Sequence, residues 1–318
     1  MLRPAQTRWL SLLAVVERIL EQWEALKLYF DDKWLEDHEC REIHTALRDP
    51  IQKAYFYFLS WMLPKFTRTN AYFQSENTVL LEMHLKMQEL YRELLLLIMP
   101  SSYVNNTPLD SIDPTDERKH IRPEDIYLGL GVQKQLSLPE VIADVNSVKQ
   151  LRENCKRFIV QAAVGIRKRY SLDDKLFIAV SNFNNENCMF ATEKRQTSLA
   201  STFNLLPRIS PKKLDVQQIL DDEWRYFPNY IAQNKCDLDV NDPLDVFWHK
   251  VSEIKTKEDS RSVGPFYNLA HFMLGMLSLP HSNADCERIF SHITDLKTKK
   301  RNQLSTKSIA GNLYAATH

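Results

Sequence analysis

Glycine is scarce in this chain, and the scarcity narrows the fold class. Only 6 of the 318 residues are glycine, against 14 prolines, which is too few to punctuate a β-rich or Rossmann-type architecture. The best candidate for a phosphate-binding loop is LGLG at residues 128–131, and it lacks the glycine spacing that such a loop requires. We therefore assign no cofactor and no small-molecule substrate.

Paired cysteines, net charge and long apolar runs are also lacking. The cysteines are odd in number and form no CxxC pair, which is typical of reduced thiols in the cytosol or nucleus. Lysine plus arginine equals aspartate plus glutamate, at 41 each, so any binding to nucleic acid must come from local patches. The apolar run at residues 94–99 is too short for a membrane span, and the N-terminus resembles no signal peptide, so no membrane is expected.

Apolar residues recur in steps of three and four, which predicts a mainly α-helical fold. The first seam consists of Leu12, Val16, Ile19, Trp23, Leu26 and Phe30. Further helices are expected at residues 80–97, ended by Pro100, at 51–62, stopped before Pro64, and at 147–170. Polar stretches at residues 103–123 and 182–213 are expected to be loops or linkers. A helical bundle over residues 7–230 and a smaller C-terminal helical unit follow from this pattern.

The segment LPHSNADCERIFSHITDLKTKKRN, residues 279–302, has the features of a well-capped helix. Pro280 cannot continue a helix from upstream, and Ser282 can cap a new one. Asp285 and Glu287 then lie in the first turns, where the helix dipole favours negative charge. On these features alone, an ordinary amphipathic helix with a good N-cap explains the segment, without any catalytic role.

A basic cluster follows in the same segment. Four cations lie within five residues: Lys297, Lys299, Lys300 and Arg301. They are candidates for phosphate contacts in DNA or for a nuclear-import signal. The alternative is a solvated helix end, where cations stabilise the C-terminal dipole.

Two sequence blocks resemble the hAT superfamily of transposases. The order Pro-x-Ser-x-Ala-x-x-Glu-Arg-x-Phe-Ser at residues 280–291 is similar to the family's C-terminal signature. The block Thr7, Arg8, Trp9 and Ser11 resembles the start of the family's helical insertion domain, with Leu10 in place of the usual asparagine. Weaker similarities at residues 156–170 and 242–251 lie between the two blocks in the family order.

The resemblance implies specific roles. Glu287 corresponds to the last carboxylate of the family's catalytic triad, and the family's tryptophan at Trp9, beside Arg8, is thought to stack on DNA bases. From the sequence pattern alone, the alternative to base stacking is that Trp9 is an apolar anchor at the start of a helix. The resemblance also implies an insertion-like domain at residues 1–235 and a dimerisation region at 236–318, with nuclear homodimers or heterodimers of related proteins. The apolar residues expected to form the dimer surface are Phe247, Trp248, Phe266, Phe272 and Phe290. The alternative is that these residues dock onto the N-terminal bundle and leave no apolar surface exposed.

The chain departs from the family in its carboxylates. The family's two catalytic aspartates lie on strands before the Thr-Arg-Trp block, and only six residues precede Thr7 in this sequence. Two-metal phosphoryl transfer requires several carboxylates, so Glu287 alone predicts a catalytically inactive derivative. The alternative is a fragment of an active transposase whose aspartates lie outside this chain. Remnant strands of the ribonuclease-H-like core are expected near residues 176–180. Cys40 and His44 share a helix face, but no second pair follows, and we assign no metal.

Overall fold

The computed structural model describes residues 9–34, 40–74, 79–190, 195–234, 236–255 and 264–279, with the single residues 193, 293, 305, 307 and 308. Helices dominate this part of the chain, and no strand occurs within it. The mainly α fold expected from the apolar periodicity is confirmed. Two compact units are present: Met1–Tyr72 with Glu82–Ser181, and Phe73–Leu81 with Asn182–His318.

Unit 1 is formed around long helices. Its helices are α1 Trp9–Glu21, α2 Trp23–Lys33, α3 Cys40–Arg48, α4 Pro50–Phe73, α5 Leu80–Ile98, α6 Ser101–Asn106, α7 Leu130–Leu136, α8 Pro139–Ile142, α9 Val145–Arg169 and α10 Lys175–Ser181. The end of α4 and the start of α5 lie within the short stretch assigned to unit 2. Three single-turn 3₁₀ helices, Leu109–Ser111, Glu117–Lys119 and Pro123–Asp125, lie between α6 and α7.

Unit 2 has shorter helices around one aromatic-rich core. They are α11 Asn185–Met189, α12 Ala200–Leu205, α13 Leu214–Gln233, α14 Leu244–Ser252 and α15 Tyr267–Leu277. α15 packs against both α13 and α14. Unit 2 groups α13 with α14 and α15, and it also contains Phe73–Leu81. The domain boundary expected at residue 235 stays a prediction.

The main core of unit 1 lies between α4, α5 and α9. Leu94 on α5 and Ile159 on α9 are fully buried within it. The Phe58 ring on α4 meets the Phe158 ring on α9 edge to face, with centroids 5.6 Å apart. The helices at residues 80–97 and 147–170 are confirmed, and α5 ends just before Pro100 as expected.

Arginines of α9 hold the irregular segment between α6 and α7. Arg167 donates to the backbone carbonyls of Asp110 and Ile112. Arg152 donates to the carbonyls of Pro123 and Glu124, at 3.2 and 3.1 Å. These bonds supply partners for carbonyls that no sheet or long helix satisfies. The basic character of α9 is therefore partly structural.

The prediction that a helix stops before Pro64 is wrong. α4 continues through Pro64 to Phe73, although proline removes one backbone donor and usually breaks a helix. The two preceding residues, Met62 and Leu63, are fully buried. Their burial favours the continuous helix and offsets the local cost, which is a tertiary effect that the local sequence does not contain.

The strand expected at residues 176–180 is also absent, because this stretch lies in α10. The Asp174 carboxylate accepts hydrogen bonds from the backbone amides of Leu176 and Phe177, at 2.8 and 3.4 Å. An aspartate at this position caps the helix start. The apolar run at residues 176–180 is therefore helical, because the capping aspartate precedes it.

Gly129 illustrates a position that only glycine fits, and it gives a testable prediction. Its φ is +98°, and an added Cβ would lie 2.9 Å from Cγ of Trp61. We expect Gly129→Ala to lower the free energy of unfolding by about 1–3 kcal/mol. Gly165→Ala is the matched control, because a Cβ added there, in the last part of α9, meets no atom within 4 Å other than those of its own helix and chain neighbours. It is expected to raise the free energy of unfolding by up to about 1 kcal/mol. Equal changes for the two variants in chemical denaturation would contradict this explanation.

Candidate interaction groove and the predicted site residues

Most residues predicted to contact DNA or carry out catalysis lie outside the described residues. These are Glu287, Arg8, Lys297, Lys299, Lys300 and Arg301, together with Phe290 of the predicted dimer surface. Of Trp9, the structure describes the backbone, which begins α1. Their predicted roles therefore stay predictions.

Four residues predicted to form the dimer surface are interior residues of unit 2. The Trp248 ring stacks on Phe227 with centroids 5.8 Å apart, and the Phe266 ring meets Phe227 edge to face at 5.0 Å. The exposed fractions are 0% for Phe247 and Trp248, 1% for Phe266 and 6% for Phe272. The exposed apolar surface expected from these side chains is therefore not present. Phe247, Trp248 and Phe266 pack against Phe227 of α13, and Phe272 packs against Phe203 of α12.

Two acidic residues of α13 accept hydrogen bonds from backbone amides outside their own helix. The Glu223 carboxylate accepts from the backbone amide of Leu269 and the side-chain amide of Asn268, both at 2.7 Å. It thus caps the N-terminus of α15 from a neighbouring helix. Burial raises the pKa of Glu223, and these two hydrogen bonds oppose the rise. Asp221 accepts from the amide of Leu199 at 2.6 Å. Both acids are structural.

Arg195 packs into the core of unit 2 beside Trp224. The guanidinium carbon lies 3.7 Å from the centroid of the Trp224 ring, and a guanidinium nitrogen donates to the Trp224 carbonyl. Burial lowers the pKa of Arg195 to about 10. The indole Nε1 of Trp224 donates to the Gln196 carbonyl at 2.8 Å. The two side chains fix the segment before α12 onto α13.

An apolar groove lies open on the surface of unit 1. It has a volume of about 650 Å³ and lies between α1 and α2 on one side and α3 and α4 on the other. Trp23, Phe30 and Leu47 form its buried floor, and the Trp23 ring meets Phe56 edge to face at 5.5 Å. We call it the α1–α4 groove. Its lining residues are Val15, Arg18, Ile19, Gln22, Trp23, Leu26, Phe30, Ile43, Ala46, Leu47, Gln52 and Phe56.

The predicted seam of α1 and α2 explains the groove. Alternate seam residues, Val16, Trp23 and Phe30, are buried in unit 1. The intervening seam residues Ile19 and Leu26 are only half-buried, and they line the groove above its buried floor. The groove wall from residue 15 to residue 30 is roughly 22 Å long at the helical rise of 1.5 Å per residue. The sequence predicted the apolar seam, but it did not predict that Ile19 and Leu26 would be only half-buried.

A polar cluster fastens α2 to α3 beside the groove. Arg48 donates to the Asp31 carboxylate from two nitrogens, at 2.9 and 2.6 Å, and this holds the pKa of Asp31 below its ordinary value. The His44 ring stacks on Trp34 with centroids 5.0 Å apart, and its Nε2 lies 3.1 Å from Asp31. Cys40 packs against the groove floor. His44 and Cys40 therefore both take part in packing, and no set of three potential metal-binding side chains occurs in the described part of the chain.

Comparisons with known proteins found no matching family model, no similar curated protein and no similar solved structure. Within the residues that the structure describes, no helix combines the length and apolar composition needed to cross a bilayer. Function must therefore be argued from the residues and their geometry.

Proposed function

We propose that this chain is a transposase-derived, catalytically inactive interaction module that works in the nucleus. The observation that carries the proposal is the order of two sequence blocks: Thr-Arg-Trp at residues 7–9 and Pro-x-Ser-x-Ala-x-x-Glu-Arg-x-Phe-Ser at residues 280–291. The helical fold between them is compatible with this origin. Of the three carboxylates that the family's chemistry uses, Glu287 is the one with a counterpart in this sequence.

We propose that the α1–α4 groove is the docking surface. An amphipathic helix binds such a groove through apolar side chains at helical spacing. The groove wall is long enough for about four turns of a docked helix, and the polar side chains Arg18, Gln22 and Gln52 lie among its lining residues. The partner helix comes from a second copy or a related chain. The aromatic residues of α14 and α15 serve instead to hold unit 2 together.

One pair of substitutions tests this docking surface. Ile43 lines the groove and is 46% exposed, so Ile43→Asp removes an apolar contact at little cost to the fold. Fully burying an isoleucine contributes about 1.5–3 kcal/mol. Because Ile43 is already more than half buried, we expect self-association to weaken by roughly 3- to 10-fold. The dissociation constant of a fluorescently labelled chain measures this change.

Ile142→Asp is the matched control for that experiment. Ile142 is 60% exposed on α8 and lies outside the groove lining. We expect its dissociation constant to equal that of the unsubstituted chain. If both aspartate variants weakened association equally, or if neither did, the groove would not be the docking surface.

The second candidate function is that of a fragment of an active hAT transposase, supplied with its aspartates by another polypeptide. The Glu287 motif favours it. A nicking assay with Mg²⁺ or Mn²⁺ separates the two candidates. We expect no cleavage by the purified chain. Cleavage that is lost in Glu287→Gln would favour the active fragment.

DNA contact by Lys297, Lys299, Lys300 and Arg301 is expected to be weak and sensitive to salt.

A further inference from the structure

His84 is a buried histidine that neither proposed function uses. It lies near the start of α5 and is only 2% exposed. Its ring stacks on Phe177 of α10 with an interplanar angle of 7° and centroids 6.4 Å apart. Phe177 also stacks on Tyr170, the residue that ends α9, with centroids 5.8 Å apart. Three rings therefore join α5, the end of α9 and α10.

The hydrogen bonds around His84 suit a neutral imidazole. Nδ1 lies 2.9 Å from the Tyr170 hydroxyl, and Nε2 lies 2.9 Å from Nε2 of Gln88. The Gln88 amide donates to the second ring nitrogen and also to the Leu172 carbonyl, at 3.5 Å. A neutral ring accepts this bond at Nε2 and has a proton at Nδ1 for the tyrosine. Both ring nitrogens are then satisfied.

A second proton on the ring has no acceptor in this arrangement. It would be placed on Nε2, facing the amide group of Gln88, so that two donors would point at each other. Turning the Gln88 amide would supply an oxygen but would remove the bond to Leu172. A protonated His84 is therefore a buried charge that either keeps an unsatisfied donor or takes the Gln88 amide away from the Leu172 carbonyl, and both are costly.

The titratable groups that face His84 among the described residues are Tyr170 and Asp174. Burial lowers the pKa of His84, and the nearby Asp174 carboxylate opposes this only in part. Asp174 already accepts the amides of Leu176 and Phe177 at the start of α10. Burial raises the pKa of Tyr170, which therefore stays protonated near neutral pH. Neither group neutralises a charged imidazole by direct contact.

We propose that the His84 cluster is an acid-sensitive clasp, in which protonation of the imidazole releases α10 from α5 and the end of α9. The release is local because α10 is a seven-residue helix that buries only Ala179 and Val180 besides the Phe177 ring stack, whereas α9 spans 25 residues and contributes Leu151, Cys155, Ile159 and Ala163 to the main core. The segment that opens is Lys175–Ser181, the last helix of unit 1 before Asn182. The clasp does not depend on the proposed function.

The direction of the pH effect follows from linkage. The open state binds a proton at the ordinary histidine pKa of about 6.5, and the closed state binds it only at lower pH. The closed state is therefore fully favoured above that value and loses its advantage as pH falls below it. With one proton linked, the opening constant rises by up to about tenfold for each pH unit.

Hydrogen exchange of the full chain at pH 7.5 and 5.5 tests the clasp, after correction for the intrinsic pH dependence of amide exchange. We expect amides of α10 to lose protection at pH 5.5, while residues 151–163 of α9 and helix α13 keep theirs. His84→Gln removes the titrating group and is expected to abolish the loss in α10. Unchanged protection of α10 at pH 5.5, or equal loss throughout α9, would overturn the proposal.

A second variant keeps the test decisive if His84→Gln does not fold. Gln88→Glu places a carboxylate where Nε2 of a protonated imidazole can donate to it. We expect this variant to reduce or remove the loss of protection at pH 5.5. If it responded to acid as strongly as the unsubstituted chain, a different group would be titrating and the clasp would be rejected.

Discussion

Replacing Trp248 with alanine is expected to destabilise unit 2 by about 3–5 kcal/mol, the range for truncating a buried large aromatic side chain. Trp248 is fully buried, stacks on Phe227 at 5.8 Å and meets Phe247 edge to face at 5.3 Å. The expected result is loss of cooperative folding of α13 to α15, measured by chemical denaturation. A dimer-surface residue would instead leave the isolated chain stable and weaken only association.

Trp248→Phe is the matched control for this prediction. It keeps an aromatic ring in the same core, and it removes an indole N–H that is buried and has no partner among the described residues. We expect a clearly smaller loss than for Trp248→Ala, because the phenyl ring fills most of the space of the indole and leaves a smaller cavity. If Trp248→Ala left the unfolding transition unchanged, the interior position of this residue would be contradicted.

Replacing Trp224 with alanine is expected to be at least as damaging as Trp248→Ala. Trp224 is 1% exposed, meets the Phe183 ring edge to face at 5.4 Å and covers the Arg195 guanidinium. The substitution leaves a cavity, removes the bond to the Gln196 carbonyl and strips the guanidinium of its aromatic cover. We expect a loss of about 3–5 kcal/mol in the free energy of unfolding.

Asp222→Ala, two residues away on α13, is the control for Trp224→Ala. Asp222 lies nearer the surface and accepts a hydrogen bond from Gln218 at 3.0 Å. Surface substitutions of this kind usually change stability by less than about 0.5 kcal/mol. Equal effects of the two substitutions on the denaturation midpoint would show that Trp224 is not a core residue of unit 2.

The helices that the sequence predicted best are those with most of their apolar residues in one large core. α5 and α9 keep their spacing over many turns, so periodicity alone located them. The end of α4 and the secondary structure of residues 176–180 were harder to predict. α4 runs through Pro64 because Met62 and Leu63 are buried around it, and residues 176–180 are helical because Asp174 caps them. The first outcome depends on tertiary burial, and the second on a local cap that apolar periodicity does not register.

The candidate site was less predictable than the fold. Periodicity indicates that one side of a helix is apolar, but it does not say what covers that side. We therefore expected the aromatic residues of α14 and α15 to form an exposed surface, whereas side chains of α12 and α13 cover them. Conversely, the seam of α1 and α2 was read as core, and its residues Ile19 and Leu26 line a groove.

The proposed interaction function is tested most directly by the mass of the purified chain in solution. Light scattering from low to high micromolar concentration gives the mass of the particle without assumptions about its shape. A module that docks onto a second copy through the α1–α4 groove should rise from 37.3 kDa towards twice that mass, and Ile43→Asp should shift the rise to higher concentration. A strict monomer throughout, with or without the substitution, would contradict self-association.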